Sequence, residues 1–204
     1  MNSTHLLLIF TRNPELGKVK SRLAADVGEQ AALDIYKFLL THTHKITKDL
    51  KVDKQVWYSN DVPKKDLWNK GKFTKHAQIG IDDLGARMQY AFEQGFQKGY
   101  KHISIIGSDL YDINQTDLEV AFSKLENQDA VIGPATDGGF YYLGLSKNIN
   151  TLFKNKKWGT NTVLKDCLND LKKYKTAQLS AKNDVDYLSD ILDIDVFKPF
   201  LRIK

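Results

Sequence analysis

Four cations, Arg12, Lys18, Lys20 and Arg22, fall within eleven residues near the start of this 204-residue chain, in the run Thr11-Arg12-Asn13-Pro14-Glu15-Leu16-Gly17-Lys18-Val19-Lys20-Ser21-Arg22-Leu23. Such a segment can wrap a polyphosphate: Gly17 permits close backbone approach, Thr11 and Ser21 add hydroxyls, and the basic groups neutralise charge. It is not a Walker loop, because Gly17 stands three residues before Lys20-Ser21 and no second glycine precedes the lysine. Nor does it contain G-x-G-x-x-G. A solvated basic turn is the plain alternative. Scarcity favours the phosphate reading, since the chain has only four arginines and Arg12 and Arg22 both lie here.

Carboxylates could supply the other half of such a site. Ile105-Ile106-Gly107-Ser108-Asp109 sets an acid, with Ser108 beside it, just after an apolar run. An Asp there can hold a hard divalent cation such as Mg2+ or Mn2+ that bridges substrate phosphates, or it can cap a turn. Asp184-Val185-Asp186 places two acids on one side of an extended segment, able to approach one metal or to open a short helix. In Gly133-Pro134-Ala135-Thr136-Asp137-Gly138-Gly139-Phe140, Asp137 can accept from a sugar or acceptor hydroxyl while Gly138 and Gly139 allow close approach; a plain hairpin turn is the alternative. Trp158-Gly159-Thr160 can flank an acceptor, or Trp158 can be a buried aromatic. Asp109, Asp137 and Lys20 are the catalytic candidates, with Asp137 or one of Asp184 and Asp186 as base. His42 and His44 point in different directions on a helix and make a poor metal pair, and Cys167 on an apolar stripe reads as a core thiol.

These residues need a scaffold that delivers loops to one place. His5 to Phe10 and His102 to Gly107 read as buried strands, each ending at one of the candidate loops. Lys54 to Ser59, Ala130 to Gly133, Phe140 to Leu145 and Thr176 to Leu179 read as further strands. Apolar positions at three- and four-residue steps predict helices between Glu29 and Leu50, after Asp82-Asp83, after Thr116 with Glu119 in a capping box, and after Thr160 as cap. Alternating strands and helices predict a three-layer α/β/α sandwich with a mostly parallel mixed sheet, in one domain over residues 1–204. Ligands of such sheets sit beyond the carboxyl ends of strands, where the order reverses, so both loops point into one crevice.

The formal charge of +5 comes from 30 Lys and Arg against 25 Asp and Glu. Residues 1–102 hold 17 bases and 11 acids, whereas between Ile103 and Leu143 seven acids face only Lys124. That separation suggests a phosphate substrate and a metal rather than a nucleic-acid duplex. A nonenzymatic nucleotide or nucleic-acid binding module built on the basic half is the reading from a different class. No stretch approaches the length of a membrane span, no signal-like segment opens the chain, and one cysteine suits a reducing, cytoplasmic setting.

The order of these motifs resembles the nucleotide-diphospho-sugar transferase superfamily, and within it the small bacterial glycosyltransferase-like proteins of the DUF2064 type, similar to phospholactate and molybdenum-cofactor guanylyltransferases. The resemblance is carried by Phe10 to Leu23, Ile106-Gly107-Ser108-Asp109, Gly133 to Tyr141, Trp158-Gly159-Thr160 and Asp184-Val185-Asp186. It implies the glycosyltransferase type A fold, a nucleotide in the crevice with phosphates near the first loop, and a metal on Asp109 with the Asp184 and Asp186 region. It also implies a small acceptor near Asp137-Gly138-Gly139. Asp109 is followed at two residues by Tyr111, where sugar transferases of this fold carry a second Asp. Glycosyl transfer from a nucleotide-diphospho-sugar is the expected reaction, and nucleotidyl transfer from a nucleoside triphosphate to a phosphorylated small molecule is the close alternative.

Overall fold

The computed structural model describes residues 3–201. Its frame is a seven-stranded sheet in the order β3-β2-β1-β4-β6-β5-β7. The strands are β1 (His5–Thr11), β2 (Asp53–Tyr58), β3 (Phe73–Ala77), β4 (His102–Ile106), β5 (Ala130–Pro134), β6 (Phe140–Leu145) and β7 (Thr176–Gln178). β6 runs antiparallel to both neighbours, and the other pairings are parallel. Strand order reverses at β1, which pairs with β2 on one side and β4 on the other, so the crevice expected beyond β1 and β4 is present.

β1 is buried on both faces, which is why it reads as an unbroken apolar run. Leu7 and Ile9 face the layer formed by α2 (Glu29–Thr47) and α4 (Gln115–Leu125). Leu6 and Leu8 face that formed by α3 (Leu84–Gln97) and α5 (Val163–Leu171). The mostly parallel three-layer sandwich of the sequence reading is therefore the observed architecture.

α2 has two apolar faces. Leu33, Tyr36 and Leu40 pack on the sheet, while Ile35 and Leu39 join Leu23 of the short α1 (Ser21–Val27) to Val185, Ile191 and Phe197 of the C-terminal segment. That second contact matters for function. After β7 the chain follows β5, with Lys182 N–H donating to Pro134 O at 3.1 Å, and then pairs Leu110 with Asp184 in an isolated antiparallel bridge. Asp184 and Asp186 are thereby laid beside the end of β4.

Three local expectations change. β3 was not anticipated: Phe73-Thr74-Lys75-His76-Ala77 is an edge strand with a half-exposed pattern, so no buried run announces it. The capping box of α4 is Asn114 with Asp117 rather than Thr116 with Glu119, each side chain accepting from the other's backbone N–H at 3.0 Å. Thr160 does not cap α5; its hydroxyl donates to Lys157 O at 2.7 Å, and the helix starts at Val163. Among the described residues no helix is long and apolar enough to cross a membrane.

Candidate active site

Lys20 stands at the centre of the crevice. Its backbone occupies the left-handed region, φ 49° and ψ 45°, at the position preceding α1. A lysine pays an energetic penalty there, so the surrounding contacts must hold it. Its ammonium, on a side chain only 4% exposed, donates to Asp109 Oδ2 at 2.9 Å and to Asp186 Oδ1 at 2.8 Å. Arg22 adds a contact to Asp186 Oδ2 at 3.2 Å. Burial alone would lower the Lys20 pKa, but Asp109 and Asp186 more than reverse that and keep the ammonium charged. Burial would likewise raise Asp109, and Lys20 holds it below the ordinary carboxylate value. Asp109 nevertheless keeps a 38% exposed side chain open to the crevice. Gly107 makes its pose possible, because a Cβ there would lie 2.7 Å from Asp109 Oδ1.

A tyrosine fastens the two strand ends together. The Tyr36 hydroxyl, on α2, accepts from Arg12 N–H at 2.9 Å, lies 3.2 Å from Thr11 Oγ1 and 3.1 Å from Ser108 Oγ. Ser108 Oγ in turn donates to Thr11 Oγ1 at 3.1 Å. The Thr11 and Ser108 side chains are buried, and their hydroxyls serve this network beneath the basic loop. Tyr36 lies among the core-facing residues of α2, and only the chain crossing reveals that its hydroxyl sits below the site. Burial raises its pKa, so the phenol stays protonated.

An open cleft of about 820 Å3 runs across the carboxyl ends of β1, β2 and β4. Thr11, Arg12, Lys18, Lys20, Ser21, Arg22, Ser108, Asp109, Asp137 and Asp186 all line it. So does Arg87 of α3, which sequence reasoning missed, although three of the four arginines in the chain now lie on this cleft. Gly17 does not line it. A Cβ at Gly17 would meet the Glu29 carboxylate at 3.2 Å, so this glycine belongs to the packing of the loop on α2 and not to a phosphate cradle.

A second cavity of about 240 Å3 adjoins the cleft, with Asp137 on both walls. Of the candidate acceptor residues, Asp137, Gly139, Trp158 and Thr160 line it together with Asp184. Gly138 does not. It has φ +90°, and a Cβ there would lie 2.3 Å from Asn161 O; it seats the turn against the start of α5, where its carbonyl accepts from Leu164 N–H at 2.9 Å. Most of the acidic stretch also lies elsewhere. Asp117 and Asp112 face Lys182, Asp129 faces Lys147, and only Asp109 and Asp137 of the seven reach the cleft.

Asp184 is the group through which a metal can be judged. Its Oδ1 is buried without a hydrogen-bond partner. Burial, with the Asp109 and Asp137 carboxylates nearby, pushes its pKa up to about 7. An orphaned carboxylate oxygen among other hard oxygen donors fits a hard divalent cation. Among the described residues no three acids or imidazoles are already drawn together as a cage, and the Lys20 ammonium occupies the point where Asp109 and Asp186 converge.

A family profile described as "Uncharacterized protein conserved in bacteria (DUF2064)" matches residues 42–160. The crystal structure of a proposed nucleotide-diphospho-sugar transferase from Desulfovibrio desulfuricans G20 is 32% identical over 91% of this chain and 83% of that one, with a TM-score of 0.82. A cytidylyltransferase from Leptospira borgpetersenii superposes with a TM-score of 0.62 at 11% identity, covering 93% of this chain and 84% of that one. CMP:2-keto-3-deoxy-manno-octonic acid synthetase complexed with CTP, 8% identical, gives 0.60 over 96% of this chain and 98% of that one. The last two likenesses show the fold alone. No curated protein matches the chain in sequence.

Proposed function

The chain belongs to the bacterial DUF2064 family, and from that premise we propose that it is a metal-dependent transferase moving a sugar from a nucleotide-diphospho-sugar to a small acceptor. The observation that carries this reading is the division of the crevice. A cleft lined by Arg12, Lys18, Lys20, Arg22 and Arg87, with four aspartates among them, meets a separate pocket at one shared carboxylate, Asp137.

The diphosphate lies along Lys20 and the arginines, which balance its charge and the negative charge that grows on it as it departs. Ser59 and Asn60, just after β2, also line the cleft and suit the nucleoside. A hydroxyl of the acceptor attacks the sugar carbon. The new bond forms from that oxygen, the bond from the same carbon to the diphosphate oxygen breaks, and the electron pair leaves with the nucleoside diphosphate. Asp137, reaching both cavities, takes the hydroxyl proton as general base. Mg2+ or Mn2+ would be held by the carboxylate oxygens of Asp109, Asp184 and Asp186 that Lys20 leaves free, and would supply further charge compensation to the phosphates. Lys20 holds Asp109 and Asp186 in place beneath the phosphates.

The five cations favour a second reading, nucleotidyl transfer, in which an acceptor phosphate oxygen attacks the α-phosphorus of a nucleoside triphosphate and pyrophosphate leaves. Thermal protection by panels of nucleotide sugars and nucleoside triphosphates in Mg2+ separates the two. Nucleotide sugars raise the melting temperature if sugar transfer is correct. Protection by triphosphates alone overturns it in favour of the second.

A further inference from the structure

The 240 Å3 cavity beside Asp137 is larger than the roughly 150 Å3 apolar cavity that holds a benzene ring, and its chemistry is one-sided. Phe10, Leu84, Met88, Phe140, Trp158 and Val163 build its walls. No lysine or arginine lines it, and its charged residues are Asp137 and Asp184. Its side-chain donors are already engaged or turned away. The Tyr141 hydroxyl donates to Ser180 O at 3.1 Å and the Thr160 hydroxyl to Lys157 O at 2.7 Å. The Trp158 indole nitrogen has no hydrogen-bond partner but is buried against α3, lying 2.5 Å from where a Cβ of Gly85 would stand. The backbone N–H of Gly139 is taken by Asp137 Oδ1 at 2.8 Å. Acceptors remain, chief among them the unpartnered Asp184 Oδ1.

We propose, resting on the sugar-transfer reading, that this pocket selects an uncharged acceptor with an apolar ring or aliphatic body and a hydroxyl, and rejects phosphorylated or carboxylated acceptors. An anion entering here loses its water, finds no lysine, arginine or accessible side-chain donor on the walls, and meets the Asp137 carboxylate. A hydroxyl brings the donor the pocket lacks, and its body replaces water on the aromatic walls. Transfer then joins the acceptor oxygen to the sugar carbon, with the proton passing to Asp137 and the bonding pair leaving on the nucleoside diphosphate. This assignment also weighs against a phosphate as the attacking group.

The test uses full-length protein in a chelator, so that only the pocket's own residues face the probes, and reads the indole N–H signal of Trp158, assigned by Trp158→Phe. Benzyl alcohol, phenyl phosphate and benzoate serve as probes that keep the ring and change the head group. Benzyl alcohol shifts the Trp158 signal saturably, and the two anions shift it at least about tenfold more weakly by dissociation constant. Thr160→Lys, at an exposed position on the rim, narrows that gap by adding a cation. Equal or stronger binding of either anion to the wild type, or no binding of the alcohol, overturns the proposal. A separate titration with uridine and guanosine diphosphates, read at the cleft, isolates the parent reading: its failure removes the transferase assignment while leaving the pocket's selectivity to stand or fall on the first titration.

Discussion

Replacing Lys20 with methionine removes the cation that two carboxylates share while keeping much of the side-chain volume. Each contact, at 2.8 and 2.9 Å, is about 6 kcal/mol of Coulomb attraction at an effective dielectric near 20. Taking the ammonium out of water opposes most of that gain. The Asp109 and Asp186 side chains are 38% and 35% exposed, so solvent screens both the lost attraction and the repulsion left behind. The net loss is about 2 kcal/mol at pH 7, or roughly 4–8 °C in melting temperature for a chain of this size. In the wild type the Asp109 pKa is depressed, so its contribution is present above the unfolded value and is lost as pH falls through the folded one. In Lys20→Met, Asp109 and Asp184 face each other without that cation and their folded pKa values rise, so stability is retained at low pH and lost as pH increases. Urea denaturation at pH 4, 5.5 and 7 therefore shows a gap between the two proteins that is widest at pH 7 and narrows toward pH 4. A variant within 0.5 kcal/mol (~0.5) of wild type at pH 7, or a gap that grows on acidification, refutes the reasoning.

Three further outcomes follow from the geometry. Tyr36→Phe leaves the Arg12 N–H and the Thr11 and Ser108 hydroxyls short of a partner; it costs about 1–3 kcal/mol in denaturant unfolding and weakens nucleotide binding by loosening the loop, whereas an unchanged protein denies the network its role. Gly138→Ala combines φ +90° with a clash against Asn161 and should lower stability by about 2 kcal/mol or more, measured by thermal unfolding; a neutral result would show the turn is not seated on α5. His102 has its pKa lowered by burial and by His5, so the unfolded state takes up its proton first and stability falls as pH drops below about 6.5. Replacing His102 with Phe flattens that part of the stability profile, and an identical slope in both proteins counts against it.

The parts of the fold visible in the sequence were those whose burial is uniform. β1 and β4 lie between two helix layers and read as apolar runs, whereas β3 lies at the edge, exposes Thr74 and Ala77, and carries no such signal. Helix existence followed from periodicity, but caps depend on local hydrogen bonding, which is why the capping box of α4 lies two residues earlier than expected. At the site, the residue types pointed to one crevice, but spacing along the chain could not show that Lys20 reaches partners 89 and 166 residues away. The same holds for Tyr36, whose apolar neighbours on α2 hide a hydroxyl that serves two strand ends. Gly17 misled for the opposite reason: a glycine in a basic loop suggests phosphate approach, and here the space beside it is filled by Glu29.

The central claim is that the cleft binds a nucleotide diphosphate group through its cations with a divalent ion on Asp109. Calorimetric titration of the wild type and Asp109→Asn with a panel of nucleotide sugars, in Mg2+ and again in a chelator, tests it most directly. The account predicts saturable binding by at least one nucleotide sugar that weakens more than about tenfold (~1.4 kcal/mol) on chelation, with Asp109→Asn insensitive to the metal. Binding of equal strength with and without Mg2+ in both proteins, or no binding by any member of the panel, contradicts it.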